Sequence, residues 1–370
     1  MISIAGRYAS RSLLSHLGLT LFGFVSFMLL LEMMNRGDDV VARHGSGAGT
    51  LLRYAALRLP DLANFILPFA VLIATLLMLA KFARNNEIMA LKASGFSFYH
   101  FLSTLVPVAL LVGLLHFLVG DQIVPRTARA LKEWDATAQV AGGTSDSGTA
   151  NPAAASTSDA VWVRDGASNV RIDAVLDEGK ELRGVTVFVR TADAMLSERL
   201  LAERAVYDGT GWHLINVQRL SLAGGQERRP EHLPELAWAT SLTPGHLADL
   251  AADPAVLSLS EIWHYVASPE VGNRPVDFYE TWLLRKLAVP LVTLMMVLLA
   301  APVAQGLQRH GGLGAGLAVG VGLGFLYFVT DGLLLTLGEM GAIPPAVAAW
   351  TPTVLFGALG IAALLKIEGY

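Results

Sequence analysis

FLSTLVPVALLVGLLHFLVGDQIVPRTARALKEWDATAQV, residues 101–140, is the stretch whose reading decides the fold. Its first half is strongly apolar and has about the 20 residues an α-helix needs to cross a hydrocarbon core. The crossing ends at Gly120-Asp121, yet the helical pattern runs on through PRTARALKEWDATAQV, now charged. A membrane helix therefore continues as a soluble one. Outward from this point, Leu13–Met34 and Pro60–Phe82 are two further apolar runs upstream, and Leu283–Ala304, Leu313–Leu337 and Ala346–Leu365 are three downstream. A bilayer offers the backbone no hydrogen bonds, so runs of this length read as helices. Residues 122–281, between the two triplets, are polar. The layout is three crossings, a water-soluble insert, and three more.

The chain is 53% hydrophobic, with the excess concentrated in the six runs, and its net charge of −4 does not suggest a nucleic-acid partner. Absence of cysteine removes disulfides and thiolate metal sites. Arg7 and Arg11 precede the first run as they would in a signal peptide, but the run is longer than a typical h-region and no A-x-A site follows, so a retained helix is expected. Positive charge barely orients the chain. With the N-terminus inside, Arg7, Arg11, Lys81, Arg84, Lys92, Arg309 and Lys366 face Arg36, Arg43, Arg53, Arg58, Arg285 and Lys286, seven against six. The loop around 338–345 has no Lys or Arg, which tilts the balance toward N-in and places the insert outside the cytoplasm.

Glu32, Arg36, Asp38, Asp39 and Arg43 close the first crossing, either as a solvated end with snorkelling arginines or as a charged rim for an anionic headgroup. TLLRYAALRLPDLANF, residues 50–65, predicts an interfacial helix leading into the second crossing. In KFARNNEIMALKASGFSFYHF, residues 81–101, Asn85 or Asn86 can cap a short helix, Glu87 sits in its first turn, and Gly95 can close it. Ile88 and Leu91 share a face. Two readings stand: a tight hairpin with Glu87 paired to Arg84, or a helix that plugs into a partner with Glu87 as its charged contact.

Residues 141–160 are small and Ser/Thr-rich, a flexible linker by composition. Beyond it the period changes to two, with turns at Asp165-Gly166 and Asp208-Gly209, which predicts an antiparallel sandwich or jellyroll-like sheet. Val161, Val163, Val187, Val189 and Leu214 are candidates for its inner face, as core or as the wall of an apolar groove. Ser258 or Ser260 can cap an amphipathic helix before Tyr279 and Trp282, and Pro290 can kink the fourth crossing. Gly312, Gly316, Gly320 and Gly324 form a bare stripe, suited to close packing within the chain or against another subunit. Asp331 lies deeper in that run, where a carboxylate is a functional candidate by default.

Enzyme motifs are missing. There is no G-x-x-x-x-G-K-[ST] loop, no H-E-x-x-H and no G-x-S-x-G, and the nine histidines lack metal-ligand spacing. An aspartyl pair from Asp121 and Asp331, as in an intramembrane hydrolase, is disfavoured because the two fall at different depths.

Several segments together resemble one family. They are GRYASRSLL (6–14), LPFAVLIATLLMLAKFARNNEIMALKASGFS (67–97), VWVRDG (161–166), DPAVLSLSEIWHYV (253–266) and FVTDGLLLTLGEMGAIPPAVAAWTP (328–352). In this order, across a three-plus-three layout, they look like the permease subunits of the lipopolysaccharide export ABC transporter, the LptF/LptG (YjgP/YjgQ) family, nearer to its LptG side. The resemblance implies a multi-pass bacterial inner-membrane protein: a membrane α-helical fold of six transmembrane helices with an inserted all-β periplasmic jellyroll-like domain. It divides the chain into helices one to three (1–121, with a coupling helix near 84–95), a helix extension and linker (122–160), the β domain (161–250), a connecting amphipathic helix (251–281) and helices four to six (282–370). Implied partners are an LptF-like second permease, a cytoplasmic ABC ATPase dimer that binds ATP and Mg in place of any cofactor in this chain, bridge proteins of the LptC/LptA type, and lipopolysaccharide. Glu87, with Arg84, Ile88 and Leu91, becomes the ATPase contact. Lys132 and Lys286 fall where the family has cavity-facing cations for lipid A phosphates. Arg36 is a weaker third, since Glu32 stands where some relatives carry lysine. The glycine stripe falls on a lateral gate helix. A different class, a membrane-anchored scaffold whose β domain docks envelope proteins without moving lipid, would lack a lipid-stimulated ATPase partner.

Overall fold

The computed structural model of the chain describes residues 4–45, 47–93, 98–142, 161–165, 168–176, 179–190, 195–221, 230–240, 242–244, 254–267, 274–310 and 313–368. They fall into two units, Met1–Ser145 with Glu280–Tyr370, and Asp146–Tyr279. Most of the linker read at 141–160, together with Gly95, Gly166 and Gly312, lies outside the described residues.

The first unit is helical: α1 (Ile4–His44), α2 (Ala48–Arg84), the short α3 (Glu87–Ala93), α4 (Phe98–Leu118), a π-turn (Val119–Ile123) and α5 (Val124–Gly142). Three long helices complete it, numbered α7 (Val276–His310), α8 (Leu313–Glu339) and α9 (Pro345–Glu368) after the short α6 of the second unit. Among the described residues six spans are long and apolar enough to cross a membrane, one in each apolar run, as the hydropathy predicts. α1 has 41 residues, roughly 60 Å of helix, about twice the hydrocarbon thickness. Its charged end from Glu32 to Arg43 is thus a helical extension.

The helix expected at 50–65 forms and runs without a break into the second crossing, as the first half of a continuous α2 containing Pro60 and Pro68. Each proline removes one N–H. Packing against α1 keeps the helix intact: Leu62 and Ile66 bury against Val25, and Tyr54 bonds to Glu32. Pro290 and Pro302 likewise lie inside an unbroken α7. Gly113 of α4 meets Pro290 so closely that a Cβ there would lie 2.6 Å from the proline carbonyl. Hydrocarbon gives no hydrophobic drive between helices, so such backbone approach is what holds them. α2 and α7 form the centre, with Leu72, Leu76, Leu79, Met296 and Ala300 fully buried. Phe22, Phe27 and Met34 of α1 and Phe325 and Leu333 of α8 remain exposed, as residues facing acyl chains or a second protein should be.

In the second unit, β1 (Val161–Asp165), β2 (Ser168–Leu176), β3 (Glu181–Arg190), β4 (Leu196–Tyr207), β5 (Trp212–Ser221) and β6 (Glu231–Trp238) pair antiparallel in sequence order. The described strands are one up-and-down sheet, where alternation had predicted a sandwich or jellyroll-like arrangement. The β4–β5 hairpin turns at Asp208-Gly209 as read, with Gly209 at φ +98. The Asp208 carboxylate accepts the Thr210 and Gly211 N–H groups at 2.8 Å each, and the Thr210 hydroxyl as well. These donors, the Thr210 N–H foremost, hold its carboxyl below the usual range.

A crease crosses the sheet. Pairing is interrupted at Asp173, Gly184, Glu203, Asn216 and Pro234, which form one line from β2 to β6. Gly184 and Asn216 have φ +62 and +54. Across the line the buried side shifts by one residue in each central strand: Leu182 then Val185, Ala202 then Ala205, Leu214 then Val217. A slip in one strand alone would break the core, so all slip together. After the sheet, α6 (Leu259–Ala267) begins with a reciprocal cap: the Ser258 N–H donates to Glu261 Oε2 (2.8 Å) and the Glu261 N–H to Ser258 Oγ (3.4 Å).

Candidate functional site

Glu87 opens α3, seven residues between two membrane helices. Its Oε1 accepts the Tyr8 hydroxyl (3.4 Å) and the Asn85 side-chain amide (3.2 Å). Among the described residues no ion pair joins it to Arg84, so the hairpin reading with that pair is corrected: Asn85 closes α2 and turns its amide onto Glu87 instead. Asn86, at φ +56, makes the bend, and its carbonyl receives the Ala90 N–H. Arg84 and Met89 are exposed. Ile88 and Leu91 belong to the same short helix. The outcome is a helix of about two turns with exposed Met89 and Ala90 and a carboxylate at its N-terminal end, tethered to α1 through Tyr8.

The cations are distributed differently from the simple rim the sequence suggests. Arg36 is exposed on α1. Glu32, one turn earlier, is not part of an open rim: it accepts the Tyr54 hydroxyl (3.0 Å) and Arg58 Nε (2.8 Å), and Arg58 also pairs with Asp61. Lys132 is exposed on α5, and Arg126 and Arg129 precede it at three-residue steps on the same broad, exposed side. Reading the segment only as a helical extension missed that stripe; the R-x-x-R-x-x-K spacing carries it. Just past its midpoint α5 is gripped by the other helices. His44 of α1 stacks on Trp134 at 3.7 Å with its Nε2 3.2 Å from the Trp134 carbonyl and 3.5 Å from Asp135, and Arg53 of α2 lies over the same indole.

Lys286 points inward. It is 9% exposed, and its Nζ donates to the Gly120 carbonyl at 3.4 Å. Beside it Arg285 Nη2 meets Asp331 Oδ2 at 2.5 Å and lies over Trp282, whose indole N–H donates to Glu339 at 2.7 Å. Asp331 therefore joins α7 to α8 as half of an ion pair, the arrangement that makes a carboxylate tolerable at such depth. That partner was not read from the sequence, which counted Arg285 only among the basic residues on the side opposite the N-terminus.

Gly316, Gly320 and Gly324 are buried on α8. A Cβ at Gly320 would run into Leu76, and one at Gly324 would stand 2.8 Å from the Phe69 ring, both on α2 of the same chain. In the β unit, Val163, Val187 and Leu214 are buried and Val189 is half-buried, while Val161 pairs in register with Ile172. A shallow groove of about 550 Å³ lies over the crease on β4–β6, lined by Leu201, Glu203, Asn216, Gln218, His232 and Pro234 among others. No group of three or more His, Asp or Glu suited to a metal occurs among the described residues.

The family profile described as lipopolysaccharide export system permease LptF/LptG matches residues 7–366. The chain is 24% identical over 368 residues to the lipopolysaccharide export system permease protein LptG of Escherichia coli strain K12, covering 98% of both. It is 26% identical over 361 residues to the protein of the same name from Haemophilus influenzae, covering 96% of both.

Proposed function

Since the chain belongs to the LptF/LptG family of lipopolysaccharide export permeases, we propose that it is one half of a paired conduit that takes lipopolysaccharide from the outer leaflet of the inner membrane. The observation that carries this reading is the exposed cationic side of α5, Arg126, Arg129 and Lys132, growing directly out of a membrane-crossing helix. A lipid with phosphates at the head of an acyl bundle needs that juxtaposition. Arginine forks and lysine ammonium groups bind the phosphates by charge-assisted bonds while the acyl chains stay in the apolar layer. Arg36 of α1 adds a fourth cation on the neighbouring helix.

In this reading the partner across the cavity is an LptF-like permease, and α1 and α8, with their exposed apolar faces, meet it as lateral gates. The β unit stands in the periplasm, and its single antiparallel sheet passes lipid to a bridge of the LptC/LptA type. This chain supplies no nucleotide chemistry. A cytoplasmic ABC ATPase dimer holds ATP and Mg, and α3 enters it with Glu87 facing a basic residue. Closure of the ATPase then draws the two coupling helices together and narrows the cavity.

The test is the assembled transporter in lipid. Lipopolysaccharide should stimulate its ATPase, and Glu87→Ala should abolish most of that stimulation while leaving membrane insertion intact. A photo-crosslinker at Val163 or Val187 should capture lipopolysaccharide during turnover. An ATPase indifferent to lipopolysaccharide in the wild-type particle would refute the conduit, and a fully active Glu87→Ala would remove that side chain from coupling.

A further inference from the structure

The helix that carries the cationic stripe does not leave the membrane as a regular helix. Between α4 and α5 lies the π-turn Val119–Ile123, in which the Val124 N–H reaches back five residues to the Val119 carbonyl. A regular turn would have given that N–H to Gly120. The next position up, the alternative donor for Gly120 in a wide turn, is Pro125, which has no N–H. The donors that an α-turn and a π-turn would offer the Gly120 carbonyl are therefore both lost, one to Val119 and one to proline. Gly120 is half-buried against Asn64 of α2, and a carbonyl partly shielded from water is unfavourable unless another donor arrives.

The donor that arrives is Lys286 of α7, nine-tenths buried, with its Nζ 3.4 Å from the Gly120 oxygen. The same residue is held from the other side. A Cβ at Gly120 would lie 2.9 Å from the Asn64 Oδ1 of α2, and His116, one turn earlier, brings its Nε2 to 3.0 Å from the Asn64 carbonyl. Seven residues below, Gly113 abuts Pro290 of α7. The turn is thus clasped between α2 and α7, with a side-chain ammonium completing its hydrogen bonding.

We propose that Lys286 is a positioning residue: it supplies the donor that the Val119–Ile123 turn lacks, and so fixes the direction in which α5 carries Arg126, Arg129 and Lys132. Its consequence for transport rests on the conduit reading; the geometry itself does not. π-turns inserted in α-helices recur at functional sites, and here one sets the aim of a phosphate-binding side by way of a charge that is itself nine-tenths buried.

The experiment is a double-mutant cycle in the complete transporter in nanodiscs, using Lys286→Met, Lys286→Arg, Pro125→Ala and the Pro125→Ala/Lys286→Met pair. The chain has no native cysteine, so spin labels placed only at Glu133 on α5 and Leu291 on α7 report the direction of α5 by their distance. Lys286→Met should shift or broaden that distance, and Lys286→Arg, which keeps a donor, should restore it. Pro125→Ala returns an N–H to the turn, so the same Lys286→Met change should have a smaller effect in that background, the signature of two groups serving one acceptor. Lipopolysaccharide-stimulated ATPase at saturating lipid should fall about tenfold in Lys286→Met, what a lost hydrogen bond to a charged group is worth, with lipid affinity retained. An unchanged label distance in Lys286→Met, or an equal shift with and without Pro125, would overturn the proposal. Loss of lipid affinity without a change in distance would make Lys286 a direct phosphate ligand instead. Should lipid fail to stimulate the wild-type particle, the conduit reading falls, while the label distances, which need no lipid, still decide the role of Lys286.

Discussion

Arg285 and Asp331 neutralise each other where either alone would be unfavourable. The carboxylate side chain is 10% exposed and the guanidinium 34%, so the pair is sheltered on one side and wet on the other. Removing one partner leaves an uncompensated charge, whereas removing both leaves an apolar contact. Asp331→Asn should therefore destabilise the α7–α8 contact by about 3 kcal/mol, the lower end for breaking a buried pair, and Arg285→Met/Asp331→Leu should regain most of it. Thermal unfolding of the purified complex checks this, and equal losses in single and double variants would show that the pair is not coupled. The prediction separates a fastening role for Asp331 from the catalytic or ion-pathway role that an intramembrane carboxylate suggests. The sequence marked Asp331 as unusual but could not pair it, because its partner is 46 residues away on another helix. Glu32 was obscured for the same reason: Arg58 lies 26 residues on and meets it only once α2 has folded back along α1.

The elements were legible where a local period sets them. Six apolar runs became six helices, the Asp208-Gly209 turn became a hairpin, and Ser258 became a cap. What local reading could not supply was the crease of the sheet. Strict alternation predicts that buried residues sit two apart, but Leu182/Val185, Ala202/Ala205 and Leu214/Val217 are three apart. In one strand that spacing looks like noise or a helical turn. Repeated at paired positions in successive strands it marks a bend, with Gly184 and Asn216 taking the left-handed conformations that permit it. Gly184→Ala should expose how much the bend depends on this line. The new methyl would overlap the Asp173 carboxylate at φ +62, and strain of this kind is worth about 1–3 kcal/mol. Hydrogen exchange in the full chain should show faster exchange in β2–β4 with the helical unit unchanged. Asp173→Ala in the same chain should relieve the overlap with the carboxyl group but neither the 2.9 Å approach to the remaining Cβ nor the backbone strain, so only part of the protection should return. Full protection in Gly184→Ala would mean that the crease tolerates a side chain at its centre.

At the scale of the molecule, function depends on which side of the membrane receives the β unit, and basic residues split seven against six favour one side only weakly. Crossing parity is firmer than charge. One membrane span, Tyr99–Asp135, separates α3 from the β4–β5 hairpin, so Met89 and Thr210 must emerge on opposite faces. Both are exposed, and the absence of native cysteine makes single-cysteine labelling unambiguous. A conduit coupled to a cytoplasmic ATPase requires α3 inside and the hairpin outside, because nucleotide is available on one face only and the lipid leaves by the other. With the outer membrane permeabilised, a membrane-impermeant maleimide should label Thr210→Cys in intact cells and Met89→Cys only after the inner membrane is broken. The reverse pattern would put the sheet in the cytosol and α3 beyond the reach of any ATPase, and no rearrangement of residue roles could then rescue lipid export by this chain. Labelling of both sites in intact cells would contradict the single crossing between them, and with it the three-plus-three layout.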